Sequence, residues 1–260
     1  MLHKKTVDAI KAHALAEYPR ECCGLLIAQG RKELYRPCVN LAQGTEQFRM
    51  EPEDWADAED AGRILAVVHS HPDAPAQPSE ADRASCEATG LPWVIVSVRE
   101  GQFEELHQFA PTGWQAPLLG RQFFHGVLDC YTLVRDWYRR EAGIELLDFE
   151  RADDWWNQGQ DLYMQQFAQA GFSRIPDAAQ ILPGDVILMA VRSPVANHAG
   201  IYLGSQPLAE APGLHPVPNA MLQHLYGRLS ERVVYGGYWQ ECTRAVVRHK
   251  DMAQKDLSHE

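Results

Sequence analysis

The chain has 260 residues, of which 45% are hydrophobic, and a formal net charge of −11; this suits one large domain or two ordinary ones and argues against disorder. Residues 1–113 carry 11 Lys/Arg and 18 Asp/Glu, leaving −7 there and −4 beyond, so neither half offers the basic face of a nucleic-acid binder. No apolar run approaches the ~20 residues of a membrane span, and the polar, amphipathic start lacks the apolar stretch of a secretory signal.

Residues 5–18 read as a helix. CGLLIA (23–28) and ELYRPCV (33–39) read as strands. Residues 53–65 read as a helix opened by Pro52 in its first turn. LAVVHS (65–70) reads as a buried strand. Ser79 then opens a helix to about Thr89, stopped by Gly90. WVIVSV (93–98) and residues 102–109 read as strands joined at Glu100-Gly101. The alternation predicts an α/β domain, a mixed sheet with flanking helices, over residues 1–113. A seam follows at APTGWQAPLLG (110–120), which carries two prolines and two glycines.

Beyond the seam, residues 130–142 and 158–170 read as helices stopped by Gly143 and Gly171. PGDVILMA, HAGIYLG and ERVVY then read as strands, so residues 114–250 predict an α+β domain. The tail, 251–260, reads as disordered. The six cysteines show no framework spacing and read as buried free thiols; Cys22 and Cys23 are adjacent, and a strand would send them to opposite faces. Trp137, Trp155 and Trp156 read as core and rim aromatics, and EPEDWADAED as a solvated helix face.

The run LAVVHSH ends a strand in histidines, and alternation puts His69 and His71 on one face. Asp82 lies one turn inside the helix that Ser79 opens, where a loop-to-helix return can bring its carboxylate under the two rings. Two His, one carboxylate and an open fourth position are the ligand count of a catalytic zinc site. Zinc held this way lowers the pKa of its water to ~7 and polarises a carbonyl. Glu21 is the candidate base. The same residues admit a plainer reading, because Ser79-x-x-Asp82 is also a helix capping pair.

The complete string, His69-Ser70-His71-Pro72 followed by Ser79 and Asp82, resembles the motif of the JAMM (MPN-plus) metallopeptidases. Glu21, ahead of Cys23-Gly24-Leu25-Leu26, is similar to that family's upstream acid. The resemblance covers residues 1–110. It implies that His69, His71 and Asp82 bind Zn2+, that Glu21 is the general acid/base, and that Ser79 helps hold the oxyanion. It also implies cleavage of peptide or isopeptide bonds.

In the second half, Asp129 is an N-cap and Cys130 starts a helix, whose dipole lowers a thiol from ~8.5. His198 opens a strand. Cysteine at a helix start facing histidine on a strand is the papain-type arrangement; a buried Cys and an unrelated His is the alternative. Asp129-Cys130, Pro183-Gly184-Asp185-Val186 and His198-Ala199-Gly200-Ile201-Tyr202-Leu203-Gly204 together resemble the NlpC-type cysteine peptidases, over residues 115–248. The resemblance implies Cys130 as nucleophile, His198 as base, and a third polar residue on the next strand. That residue falls in AMLQHLYG, with Gln223 at the usual position and His224 beside it. A Gln amide oxygen can accept the imidazole N–H. His215 lies in an apparent insertion, SQPLAEAPGLHPVPN, and reads as exposed. Two departures stand out: Tyr131-Thr132 replaces the usual Ser-Gly after the Cys, and Phe123 stands where a Tyr often offers a hydroxyl to the oxyanion.

A JAMM-like domain followed by an NlpC-like domain resembles the tail assembly proteins of lambda-type phages; DCYTLVRDWY, NHAGIYLG and LSERVVYGGYW carry the likeness. The resemblance implies bacterial peptidoglycan peptides and other tail-tip proteins as partners. It implies the host cytoplasm as location during assembly, with the virion tail tip as a second one. Two rivals remain: a non-catalytic assembly factor with decayed sites, and a cellular isopeptidase acting on a ubiquitin-like sulfur carrier, for which the first domain would suffice.

Overall fold

The computed structural model describes residues 2–45, 47–176 and 180–255. The chain divides into two compact units, Met1–Gln115 and Ala116–Glu260.

The first unit runs α1 (Lys4–Glu17), β1 (Cys23–Gln29), β2 (Lys32–Cys38), α2 (Pro52–Ala61), β3 (Arg63–Pro72), α3 (Glu80–Thr89), β4 (Trp93–Arg99) and β5 (Gln102–Phe109). Its five-stranded sheet has the order β2-β1-β3-β4-β5. Only the β3–β4 pair is parallel, so this is a mixed sheet. Strand alternation feeds two separate cores. Ile10 and Ala14 of α1 pack with Cys22, Leu26, Val68, Val94 and Val96. The opposite face packs Cys23, Leu25, Ile27, Val67 and Trp93 against Ala58 of α2 and Cys86 of α3. Cys22 and Cys23 thus enter opposite cores, as their period-two spacing demands. Burying each large aliphatic there contributes ~1.5–3 kcal/mol. Helix α2 ends at Ala61 rather than at 65, and β3 starts correspondingly early. The cause is Gly62, where a Cβ would run into the Ala28 carbonyl of β1, so the chain leaves the helix as it docks on the sheet.

The second unit contains α4 (Cys130–Trp137), α5 (Leu162–Gln166), β6 (Phe172–Arg174), β7 (Val186–Met189), β8 (His198–Gly204), β9 (Ala220–Gln223), β10 (Glu231–Val234), α6 (Tyr238–Cys242), β11 (Thr243–His249) and α7 (Lys250–Lys255). The six-stranded sheet, β10-β9-β8-β7-β11-β6, is antiparallel throughout. Leu133, Val134 and Trp137 of α4 join Val186, Leu188, Ala199, Ile201 and Leu222 in the main core. Helix α4 packs on one face of this antiparallel sheet and the short α6 on the other, beside Ile187, Met189 and Met221; helices set apart from an antiparallel sheet make this the α+β class. The helix from Cys130 continues as a π-helical turn, Tyr138–Ala142, and stops at Gly143 in the left-handed region.

Two expectations need correction. The helix over 158–170 shrinks to α5, because Trp155–Asn157 form a 3-10 turn and Gly159 (φ 77°) breaks the path between them. The tail is helical through Lys255 rather than disordered from 251: Lys250 N–H donates to the Gly171 carbonyl and Met252 packs on the main core. The last five residues of that tail lie outside the described residues. All six cysteines are buried and unpaired. Among the described residues, no helix is long and apolar enough to cross a membrane.

Candidate active sites

The first site forms where β3 ends and α3 begins. His69 and His71 share a strand face, and their Nε2 atoms lie 3.0 Å apart. Asp82 Oδ1 is 3.1 Å from His69 Nε2, and Asp82 Oδ2 is 3.4 Å from His71 Nε2. One ligand atom from each of the three residues fits within 4.8 Å of the others. Ser79 is the N-cap of α3 and forms a complete capping box with Asp82. The Ser79 N–H and hydroxyl both donate to Asp82 Oδ2 at 2.7 Å, and Ser79 Oγ accepts from Asp82 N–H at 3.1 Å. The capping pair and the carboxylate facing the histidines are therefore one structure.

The surroundings set ring orientation and charge. His71 Nδ1 lies 2.7 Å from the Pro75 carbonyl, which can only accept. Nδ1 therefore carries a proton, and Nε2, which faces Asp82, is the nitrogen that would hold a metal in place of its own proton. His69 is stacked on Phe48 at 4.8 Å and stands edge-on to Trp93 at 5.4 Å. Burial holds its pKa down, so it is neutral. Burial also works against protonation of His71, but bonds to Asp82 and the Pro75 carbonyl, with the charge of Glu21, outweigh it. Burial would raise Asp82; hydrogen bonds from His69, His71 and Ser79 instead hold it far below the usual carboxylate range. Two imidazole nitrogens and one ionised carboxylate suit a borderline-soft divalent ion such as zinc. His69 Nδ1 is buried without a hydrogen-bond partner.

Glu21 is buried, one residue before the Cys22 that Ser70 anchors: Cys22 N–H donates to Ser70 Oγ at 2.8 Å, and Ser70 N–H to the Cys22 carbonyl at 3.1 Å. Cys23 is paired with His69, and Glu21 lies two residues ahead of it, where its charge acts on His71. Asn40 holds its backbone, donating to the Glu21 carbonyl at 2.9 Å. Gly24 allows the approach of β2: a Cβ there would sit 2.5 Å from Tyr35 Oη.

The second site forms where α4 begins against β8. Asp129 caps the helix, accepting from Thr132 N–H at 2.9 Å. Cys130 follows, buried, with its sulfur 3.1 Å from the Tyr163 hydroxyl. The backbone of Ala199, the residue after His198, also favours the ionised sulfur. His198 Nε2 is 3.0 Å from Gln223 Oε1, and Gln223 Nε2 donates to Glu231 at 3.4 Å. That second bond fixes the amide's orientation, so Nε2 of His198 carries its proton and Nδ1 is left as the basic nitrogen. His224 instead packs edge-on to Phe123 at 5.0 Å, and His215 is exposed.

Burial decides the protonation here. It pushes the Cys130 thiol up to about 11, with Asp129 adding to the rise and the Tyr163 and Ala199 bonds opposing it. It pulls His198 down to about 4. The helix terminus does not win, contrary to the expectation of a depressed thiol: burial favours a neutral thiol at Cys130 and a neutral imidazole at His198. Sequence reasoning missed two residues. Tyr163 comes from α5, with no local spacing to Cys130. Arg151, in a stretch without regular structure, donates to Asp129 at 2.6 Å, both side chains being 2% exposed. Only a buried acid in want of a partner hints at such a cation.

Residues 3–110 match the family described as prokaryotic homologs of the JAB domain, and residues 120–248 match the NlpC/P60 family. Over 254 residues the chain is 46% identical to tail tip assembly protein K of Escherichia phage N15, covering 96% of this chain and 97% of that one. It is 44% identical over 202 residues to tail tip assembly protein K of Escherichia phage lambda, covering 77% and 89%. Over 111 residues it is 30% identical to a CysO-cysteine peptidase of Mycobacterium tuberculosis, covering 40% of this chain and 76% of that one.

Proposed function

The chain belongs to the tail tip assembly protein K family, and we propose that it is a two-centre peptidase acting in tail-tip assembly or cell-wall penetration. Residues 1–113 are the zinc metallopeptidase and residues 114–250 the cysteine endopeptidase. The observation that carries the reading is the convergence of His69, His71 and Asp82 within 4.8 Å.

His69, His71 and Asp82 hold the ion. Zinc, when bound, supplies a Lewis acid beside the scissile carbonyl. Glu21 takes the proton of the attacking water and delivers it to the leaving amine. Ser79 turns its hydroxyl from Asp82 toward the oxyanion. In the second centre, His198 Nδ1 takes the Cys130 proton as the sulfur attacks an amide carbonyl. The amine leaves with that proton, and water then resolves the acyl-enzyme. Gln223 holds the imidazole. The substrates are peptidoglycan stem peptides and, for the zinc centre, a tail component. The protein works in the host cytoplasm during assembly, beside other tail-tip proteins, and at the virion tail tip.

Purified peptidoglycan digested by wild type, His69→Ala and Cys130→Ala, with mass spectrometry of the products, tests this. Loss of cleavage in either variant supports the corresponding centre; full cleavage by Cys130→Ala rejects the cysteine centre. Elemental analysis of His69→Ala reads the other, and unchanged zinc rejects it.

Phe123 and Gln223, the departures from the usual cysteine-peptidase pattern, favour a non-catalytic assembly factor. A His69→Ala/Cys130→Ala double variant that complements tail assembly would establish that reading. The cellular isopeptidase is less well supported, since the likeness to the CysO-cysteine peptidase leaves the second unit without a role.

A further inference from the structure

The departure at Phe123 deprives the second site of a hydroxyl that the resemblance leads one to expect. Another element supplies one. The Tyr163 hydroxyl of α5 lies 3.1 Å from Cys130 Sγ. Its ring is fixed in the core: edge-on to Trp155 at 5.2 Å and to Phe149 at 6.4 Å, and tilted on Tyr131 at 6.2 Å. The side chain is 4% exposed, so water does not compete for the hydroxyl. Burial, then the charge of Cys130 itself and that of Asp129, keep its own pKa well above the ordinary value, so it remains a donor whenever the sulfur is ionised.

We infer that Tyr163 is a catalytic residue of the cysteine centre, its phenol donating a hydrogen bond to the Cys130 thiolate as that thiolate forms. This rests on the reading of Cys130 as a nucleophile. The balance is simple. The Cys130 S–H bond breaks and its proton moves to His198 Nδ1. The sulfur's new charge is met by a donor already in place, the Tyr163 O–H. When the C–S bond forms, the carbonyl electron pair moves to oxygen and the sulfur loses its charge. Tyr163 keeps its own proton throughout. The need is sharp in this protein because burial is the largest influence on the thiol and works against the anion. The site has chosen enclosure, and a preorganised donor is what makes an enclosed thiolate reachable.

The test is Tyr163→Phe in the full chain, which keeps the ring and removes only the hydroxyl. Iodoacetamide alkylation of Cys130, followed by mass spectrometry across pH, reads the thiol directly. The variant is expected to react about tenfold more slowly at pH 7, its profile displaced about one unit to higher pH, as loss of one hydrogen bond to a charged sulfur implies. Ultraviolet thiolate absorbance, taken as the difference from Cys130→Ala, gives the same titration without a reagent. A Tyr163→Phe profile superimposable on wild type by both readouts overturns the inference. A purely structural role would lower the melting temperature without moving the titration, and this too counts against it. Muropeptide cleavage is scored separately. If wild type cleaves nothing while the titration still shifts, the peptidase reading has failed and the Tyr163–Cys130 coupling stands.

Discussion

Arg151→Ala should cripple the second unit by stranding one charge. Arg151 Nε is 2.6 Å from Asp129 Oδ2, with both side chains 2% exposed. Its other guanidinium nitrogens donate to Asp148, to the carbonyls of Phe149 and Gly126, and to Thr132 Oγ1. Asp129 keeps the N–H donors of Gly126 and Thr132 in the variant but loses its only buried cation partner among the described residues. Removing one member of a buried ion pair costs about 3–5 kcal/mol, a large share of the ~5–15 kcal/mol that holds a domain. Hydrogen exchange of the β7 and β8 amides under native conditions reads the second unit by itself. Burial raises Asp129, yet Arg151 and the Thr132 N–H bring its pKa below the usual value. In wild type this contribution is therefore present above the unfolded carboxylate pKa and lost as pH falls through the folded one. In the variant, only the remaining N–H donors oppose burial, Asp129 titrates higher than in wild type, and the gap to wild type narrows as pH falls below about 5. Asp129→Asn/Arg151→Met should recover most of the loss, since neither residue then carries a buried charge. An Arg151→Ala protein within ~1 kcal/mol of wild type, or a gap that widens on acidification, would refute the reasoning.

Asp82→Ala should abolish zinc retention in elemental analysis, and Ser79→Ala should cost about 1 kcal/mol of stability through the lost cap while weakening zinc affinity about tenfold or more; Ser79→Ala with wild-type affinity would detach the cap from the metal. Alkylation of wild-type Cys130 should rise about tenfold per pH unit through the neutral range, because the thiol titrates near 11 and only the thiolate reacts; a plateau below pH 8 would show the thiol already ionised. Gln223→Ala frees the His198 ring to turn, and should remove part of the ~10²–10⁴-fold that a positioned base supplies, in kcat rather than KM.

The first unit was legible because its signals are local. Strand alternation separated Cys22 from Cys23, and Gly90 stopped α3 where it stands in the structure, in the left-handed region. The candidate metal site was legible for the same reason: two of the three candidate ligands share one strand face and the third sits a turn inside the next helix. The second unit was less so. Helix α5 reads as more than twice its length, because apolar period alone cannot see that Trp155 turns into the core and Gly159 intervenes. Strands β6 and β11 pair across some seventy residues of chain, and nothing local marks such a pairing. The expected thiol pKa failed on sign: a helix dipole is a surface-scale effect of under ~2 kcal/mol, whereas enclosure of a charge in a core costs more. Tyr163 and Arg151 escaped because contact with Cys130 and Asp129 is decided by tertiary packing.

The two readings of Ser79-x-x-Asp82, helix cap or metal ligand, need not compete. A ligand carboxylate must be aimed and ionised before the ion arrives. Free in a loop, an aspartate would lose side-chain entropy on being aimed, and burial would favour its protonated form. The capping box removes both penalties. It fixes Oδ2 through the Ser79 N–H and hydroxyl, turns Oδ1 toward His69, and places the charge at the positive end of α3. The histidines are prepared in the same way, His71 by the Pro75 carbonyl and His69 by Phe48 and Trp93. An element that would exist for helix stability alone thereby becomes the support of the site. A motif with Ser79 replaced by a residue that cannot cap should therefore keep all three ligands and still bind the ion poorly.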